Sequence, residues 1–169
     1  MKSIENLFKN PPSDIDATEI LLTVAARIAY GSFWLFDNLG ILSKLKLLRK
    51  SQLTMTIAAM LSWFVGLILT IIISLRKLIR LRGESARIRA TLKSYPDRKP
   101  MYETEIQKNK AQTRAAFLSI IKSIGDLFPS GIGSGLTLLL PFQLHDGHAG
   151  IGGLVSALIS CYEIQNRIK

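Results

Sequence analysis

SQLTMTIAAMLSWFVGLILTIIISL, Ser51 to Leu75, contains no charged side chain in 25 residues. As an α-helix it is about 37 Å long, at about 1.5 Å per residue, and so exceeds a bilayer hydrocarbon core of about 30 Å. The stretch predicts one long transmembrane helix around which the rest of the chain is organised. Along it Ala58, Ser62, Gly66, Thr70 and Ser74 recur at four-residue intervals. In a helix that spacing lines one side with small side chains, a packing seam along which a second helix can approach closely.

Downstream, the apolar run stops at RKLIRLRGESARIRATLK. Residues 76–122 carry 13 Lys or Arg against four acids, Glu84, Asp97, Glu103 and Glu105, so most of the formal net charge of +10 is concentrated there. Arg76, Lys77, Arg80 and Arg82 stand at the edge of the apolar run, where anionic lipid headgroups lie. A basic extension that is simply solvated, its aliphatic stems snorkelling along apolar surface, uses the same residues. A soluble nucleic-acid binder also carries positive charge, but it has no need of so long an apolar run, and no nucleic-acid partner is expected. YPDRKP, Tyr95 to Pro100, supplies a turn, and ETEIQKNKAQTRAAFLSIIKSIGDLF reads as a second amphipathic helix. Residues 76–126 are therefore expected to form a basic helical hairpin.

Upstream, residues 1–16 are polar, and Pro11, Pro12, Ser13 and Asp14 mark a flexible arm before a helix start. Over residues 17–49, Glu19, Thr23, Arg27, Asp37, Asn38 and Lys44 fall within about 140° of a helical wheel and leave the remainder mostly apolar. This predicts an amphipathic helix in the bilayer interface, with Leu21, Val24, Ile28, Phe33, Trp34, Phe36, Asp37 and Asn38 at the membrane boundary. Asp37 and Asn38 follow the aromatic residues of SFWLFDNLG. They either hold the segment at the interface or mark a polar helix end with Gly40 as its C-terminal cap.

Towards the other end, LFPSGIGSGLTLLLPFQLH is uncharged but contains Pro129, Pro141, Gly131, Gly133 and Gly135. Residues 127–146 are therefore expected to be irregular or half-inserted. Residues 147–166 read as a short C-terminal membrane helix, whose uncharged part, Gly147 to Tyr162, reaches only about 24 Å. Such a helix thins the bilayer or draws on flanking residues. Ala149, Gly153, Ala157 and Cys161 form a second four-residue ladder, which suggests packing on Ser51 to Leu75 in the same chain or in a second copy. The fold class is thus an all-α integral membrane protein. It comprises an amphipathic interfacial helix, a long transmembrane helix continuing into a basic helix, a helical hairpin and a short C-terminal membrane helix, in one helical membrane domain over residues 17–169.

Candidate chemistry is sparse. Cys161 is the single cysteine, so neither an intrachain disulfide nor a cysteine-based zinc cluster is available. HDGH, His145 to His148, offers two histidines at metal-ligand spacing without a third ligand nearby, and a polar turn accounts for it better. GIGSG lacks the strand context and lysine of a phosphate-binding loop and reads as a backbone approach or a flexible bend. The many serines and threonines have no histidine or acid placed to activate them. No catalytic residue, metal or cofactor is expected.

Three blocks occur in order: LFDNLGIL (Leu35 to Leu42), SWFVGLILTIIISLRKLIRL (Ser62 to Leu81), and IKSIGDLFPSGIG (Ile121 to Gly133) with GLVSALISCY (Gly153 to Tyr162). Together they resemble the peroxin-11 family of peroxisomal membrane proteins, from about Tyr30 to the end of the chain. The resemblance implies a multi-pass protein of the peroxisomal, or glycosomal, membrane. Such a protein self-associates, remodels and elongates the membrane, and promotes peroxisome proliferation and division. Its implied partners are membrane lipids, further copies of itself, and the peroxisomal import receptor and fission machinery.

Family members usually carry further amino-terminal amphipathic helices tied to membrane bending, and here about 50 residues precede the apolar run. A member shortened at the N-terminus is therefore expected, retaining anchor and oligomerisation parts while bending membranes less. Ala157 stands where the family commonly has a second serine. On this reading, insertion of Ile20, Leu21, Val24, Ile28, Phe33 and Leu35 into one leaflet expands it relative to the other, and curvature relieves the mismatch. The family pattern places both termini in the cytosol, whereas the positive-inside rule places the basic loop there and both termini across the membrane. The family pattern is preferred because that rule describes translocon insertion. The alternative function is a pore or solute conduit for small anionic metabolites lined by GIGSG and the basic loop. The absence of charge in the two clearest apolar segments weighs against it. A docking anchor or tether is a third reading.

Overall fold

A computed structural model describes residues 17–136 and 145–168. They form four α-helices, α1 (Ala17–Lys44), α2 (Gln52–Ser94), α3 (Lys99–Ser134) and α4 (Asp146–Ile168), with a 3-10 turn at Pro96–Arg98. No strand occurs among the described residues, and the protein is all-α.

α2 has 43 residues, about 65 Å, of which the uncharged run supplies only the first part. No proline interrupts the Leu-, Ile- and Arg-rich stretch that follows, so the helix passes unbroken from apolar to basic sequence. It ends at Tyr95, which precedes Pro96 and is driven out of the helical region, with φ −138° and ψ 77°. Pro100 then stands in the first turn of α3, where its missing N–H costs nothing.

α1 ends past the position expected for a cap. Gly40 lies inside the helix, buried against α2, and the chain reverses only after Lys44. There Lys46 adopts φ 59°, the Lys46 N–H donates to the Ser43 carbonyl, and the Leu47 N–H donates to the Leu42 carbonyl. That pair of bonds is a Schellman ending with a lysine in the left-handed position. The polar-end account of Asp37 and Asn38 is thereby corrected, because the helix continues for a turn and a half beyond them.

The expectation of irregular structure over residues 127–146 also needs correction. α3 stays helical through Pro129 as far as Ser134, and Gly135, at φ 77°, caps it with its N–H on the Ile132 carbonyl. Proline removes one donor, leaving the Gly125 carbonyl four residues earlier without its usual acceptor role in the helix ladder. The Ser130 hydroxyl compensates nearby by donating to the Asp126 and Leu127 carbonyls, at 2.9 and 3.1 Å. Residues 137–144, including Pro141, lie outside the described residues, as does the arm at 1–16.

Each helix packs on the next in sequence: α1 on α2, α2 on α3 and α3 on α4. α1 runs antiparallel along α2, with Gly40 facing Met55, Tyr30 facing Gly66 and Thr70, and Glu19 bonded to Arg80. α1 is therefore not a separate element but is docked lengthwise on α2. The reason is that small residues are buried on both helices, Ala26, Ala29 and Gly40 on α1 and Ala59 and Gly66 on α2, and they permit close approach. α4 packs on α3, and beside Ser51 to Leu75 of its own chain its Glu163 lines a cavity shared with Trp63, Leu67 and Thr70. Among the described residues, three helical segments are by length and composition sufficient to cross a membrane, Ala17–Lys44, Gln52–Ser94 and Pro96–Ser134.

Candidate functional site

The first small-residue seam is occupied within the chain. At Gly66 the ring of Tyr30 lies where a side chain would start, 3.0 Å from an added Cβ. One turn on, the Thr70 hydroxyl pairs with the Tyr30 hydroxyl at 3.0 Å and donates to the Gly66 carbonyl at 2.8 Å. Ser74 turns towards α3 and donates to Ser119 at 3.3 Å. Ser62 and Ala58 complete the seam, with the Ser62 hydroxyl bonded to the Ala58 carbonyl. A cavity of about 370 Å³ adjoins it, lined by Tyr30, Thr70, Lys122, Asp126 and Glu163 among others. The charged groups at this cavity thus come from α3 and α4.

The eight residues assigned to the membrane boundary divide between two environments. Leu21, Ile28 and Trp34 are 69%, 64% and 64% exposed, and Leu35 beside them is 57% exposed. Val24, Phe33, Phe36 and Asp37 are half-buried. Phe33 turns inward, its ring 5.5 Å from that of Trp63 and 5.4 Å from that of Trp34. Asn38 is exposed and donates to the Trp34 carbonyl at 2.7 Å, so its amide serves its own helix. At about 100° per residue, Leu21, Val24, Ile28 and Leu35 make one outer stripe opposite the buried Ala26 and Ala29.

α3 and α4 meet through a glycine pair. A Cβ on Gly125 would come within 2.6 Å of the Gly152 carbonyl, and one on Gly152 would strike the Gly125 carbonyl. The carbonyl that Pro129 deprives of its helical donor is thus the one covered by the backbone of Gly152. Such close approach allows Cα–H···O contacts across the interface. Ser156, one turn on, is buried in the same contact, and Arg114 stacks over the Tyr162 ring at 4.9 Å. The second ladder lies one residue out of phase with this face. Gly153 has nothing within 4 Å of an added Cβ, Ala157 and Cys161 are exposed, and Ala149 is half-buried.

In the basic hairpin, Arg80 pairs with Glu19 at 3.0 Å, while Arg76 and Arg82 are exposed and Lys77 is half-buried. The residue that organises this region escaped the sequence reading. Asn109, only 6% exposed, donates from its amide to the Leu81 carbonyl at 3.1 Å and to Glu84 at 3.2 Å, and accepts from the Ser85 hydroxyl at 2.8 Å. Its one signal was an uncharged polar residue between Lys108 and Lys110 in a helix. The HDGH histidines serve the start of α4, where the His145 N–H donates to His148 Nδ1 at 3.1 Å, the reciprocal half of a capping box.

The family profile for Peroxisomal biogenesis factor 11 (PEX11) matches residues 1–165. The chain belongs to the PEX11 family. The match begins upstream of Tyr30 and takes in the polar arm and all of α1. Membership makes this PEX11-family chain a peroxisomal biogenesis factor associated with the peroxisomal membrane, in a family not known for enzymes. Comparison with curated proteins and with solved structures returned no match. The family lends no support to the pore alternative.

Proposed function

We propose that this chain is a non-enzymatic, multi-pass protein that shapes the peroxisomal or glycosomal membrane, self-associating to elongate it and promote division. The outer stripe of α1 carries the reading. Leu21, Ile28 and Leu35 stand outside the intramolecular packing, on the side opposite Ala26 and Ala29. Acyl chains solvate such a stripe and water does not.

Because α1 runs alongside α2, the curvature element is the helix assembly and not one helix in the interface plane. Met60 of α2 faces Gly133 near the end of α3, and Gly152 near the start of α4 faces Gly125. Among the described residues, α1 and α2 alone therefore reach the level of Ser51 to Thr56, whereas all four helices are present at the level of Leu67 to Ser74. A body broader in one leaflet expands that leaflet, and bending relieves the difference in area. Self-association along the outward ladder Ala149, Gly153 and Ala157 lines up such wedges, since small residues let copies approach closely. Anionic lipids, further copies, and the import receptor and fission machinery are the partners on this reading, with both termini cytosolic.

Reconstitution into anionic liposomes followed by electron microscopy tests it. Wild-type protein should draw tubules from the vesicles. Leu21→Asp should insert through α2 but leave them round. Spherical liposomes around correctly inserted wild-type protein would overturn the proposal.

A further inference from the structure

The two grooves of the α2–α3 hairpin differ in charge balance. One, a cavity of about 620 Å³, is lined by Arg80, Arg87 and Lys108 together with Glu84 and Glu105. The other, about 710 Å³, is lined by Arg82, Arg89, Lys110 and Arg114 and, among the described residues, by no acid. Three cations with two acids stand on one side, and four cations with none on the other. A hairpin that was merely solvated would have no reason for this segregation.

We propose that the second groove binds a lipid headgroup carrying more than one phosphate. Arg82 and Arg89 lie two turns apart on one face of α2, about 10 Å, and Lys110 and Arg114 lie one turn apart on the facing wall of α3. Opposed cations at these spacings contact two phosphates together better than one. The walls are held at fixed register by buried Asn109, which bonds the Leu81 carbonyl and Ser85 across the groove. Arg114 is held over the Tyr162 ring. Guanidinium groups give paired, charge-assisted bonds to phosphate oxygens. Leu78 and Phe117 complete the lining, and Phe117 is 56% exposed. They lie at the membrane end of the groove, three residues beyond Leu75 in the case of Leu78, where the acyl chains of a lipid would cover them. A soluble polyanion would leave them wet. The assignment rests on α2 meeting the bilayer near Leu75, and not on any capacity to bend it.

Full-length protein in neutral detergent is titrated with dioctanoyl phosphatidylinositol bisphosphate, dioctanoyl phosphatidylserine and free inositol trisphosphate, and binding is read by thermophoresis. The bisphosphorylated lipid should bind at least about tenfold more tightly than phosphatidylserine, since two phosphates engage separate cation pairs. Arg82→Gln with Arg89→Gln should lose about tenfold, and Arg87→Gln with Lys108→Gln, equal in lost charge, less than about twofold. Lys110→Gln, a milder change, should weaken binding measurably and serves if the first double variant fails to fold. Equal losses from the two grooves, or no preference for the bisphosphate, would overturn the site. Inositol trisphosphate binding as tightly as the lipid would overturn the lipid as occupant. The readout in detergent is independent of tubulation, so round liposomes leave this inference standing and absent binding leaves the shaping function standing.

Discussion

At Gly152 a methyl group would strike the Gly125 carbonyl, whereas at Gly153, one residue on, it would meet open space. The two glycines are equivalent in the sequence and opposite in the fold. Gly152→Ala should destabilise the α3–α4 contact by about 1–3 kcal/mol, as overpacking does where the neighbour is backbone and cannot turn aside. Gly153→Ala should be neutral or stabilise α4 by up to about 1 kcal/mol through helix propensity. Thermal unfolding of the detergent-solubilised chain, with hydrogen exchange in α4, distinguishes them. Matching losses from both would mean that the glycine pair is not the interface. A helical wheel could display both faces but not choose between them, because Gly, Ala and Ser recur on each.

Between elements, the α2–α3 hairpin is joined by a few polar contacts of unequal weight. Asn109 is buried with both ends of its amide engaged, and removing it leaves Ser85 and Glu84 without those bonds. Asn109→Leu should cost about 1–3 kcal/mol, the penalty for stranding polar groups. It should speed exchange in residues 78–94 and 102–116 while sparing α1. The Arg80–Glu19 pair joins α1 to α2 with side chains 34% and 18% exposed. At that exposure water screens it, and Glu19→Gln should change stability by less than about 1 kcal/mol. A large effect in the same thermal assay would show that the pair is desolvated by its surroundings. Run-by-run composition announced a basic hairpin here, because charge density is local. It did not announce that one asparagine within that charge is its bracket, since burial is decided by the partner helix.

For the whole molecule, the register of α1 on α2 fixes what a membrane test must find. Lys46, in the α1–α2 turn, and Asp97, in the hairpin turn, lie near opposite ends of α2. In a Cys161→Ser background, cysteines placed singly at these two positions should be labelled by an impermeant thiol reagent from opposite faces of sealed vesicles. Labelling of both from one face would show that α2 does not cross, and with it the wedge would fall.

The sequence by itself determined that the chain is helical, apolar and asymmetrically charged, and the ordered blocks from LFDNLGIL to GLVSALISCY carried the family. Those properties are additive along the chain: 25 uncharged residues and a dense basic run have the same meaning whatever packs on them. The tertiary structure alone decided that α1 docks lengthwise on α2, that α3 continues through Pro129, and that α4 uses Gly152 and Ser156 while Gly153 and Ala157 face out. Each of these outcomes turns on which of two similar faces finds a close partner. A stripe of small residues offers contact but does not name the surface it meets. Pro129 was legible as a break because its missing donor is a local fact, while the glycine backbone that covers the freed carbonyl lies 27 residues away, in another helix.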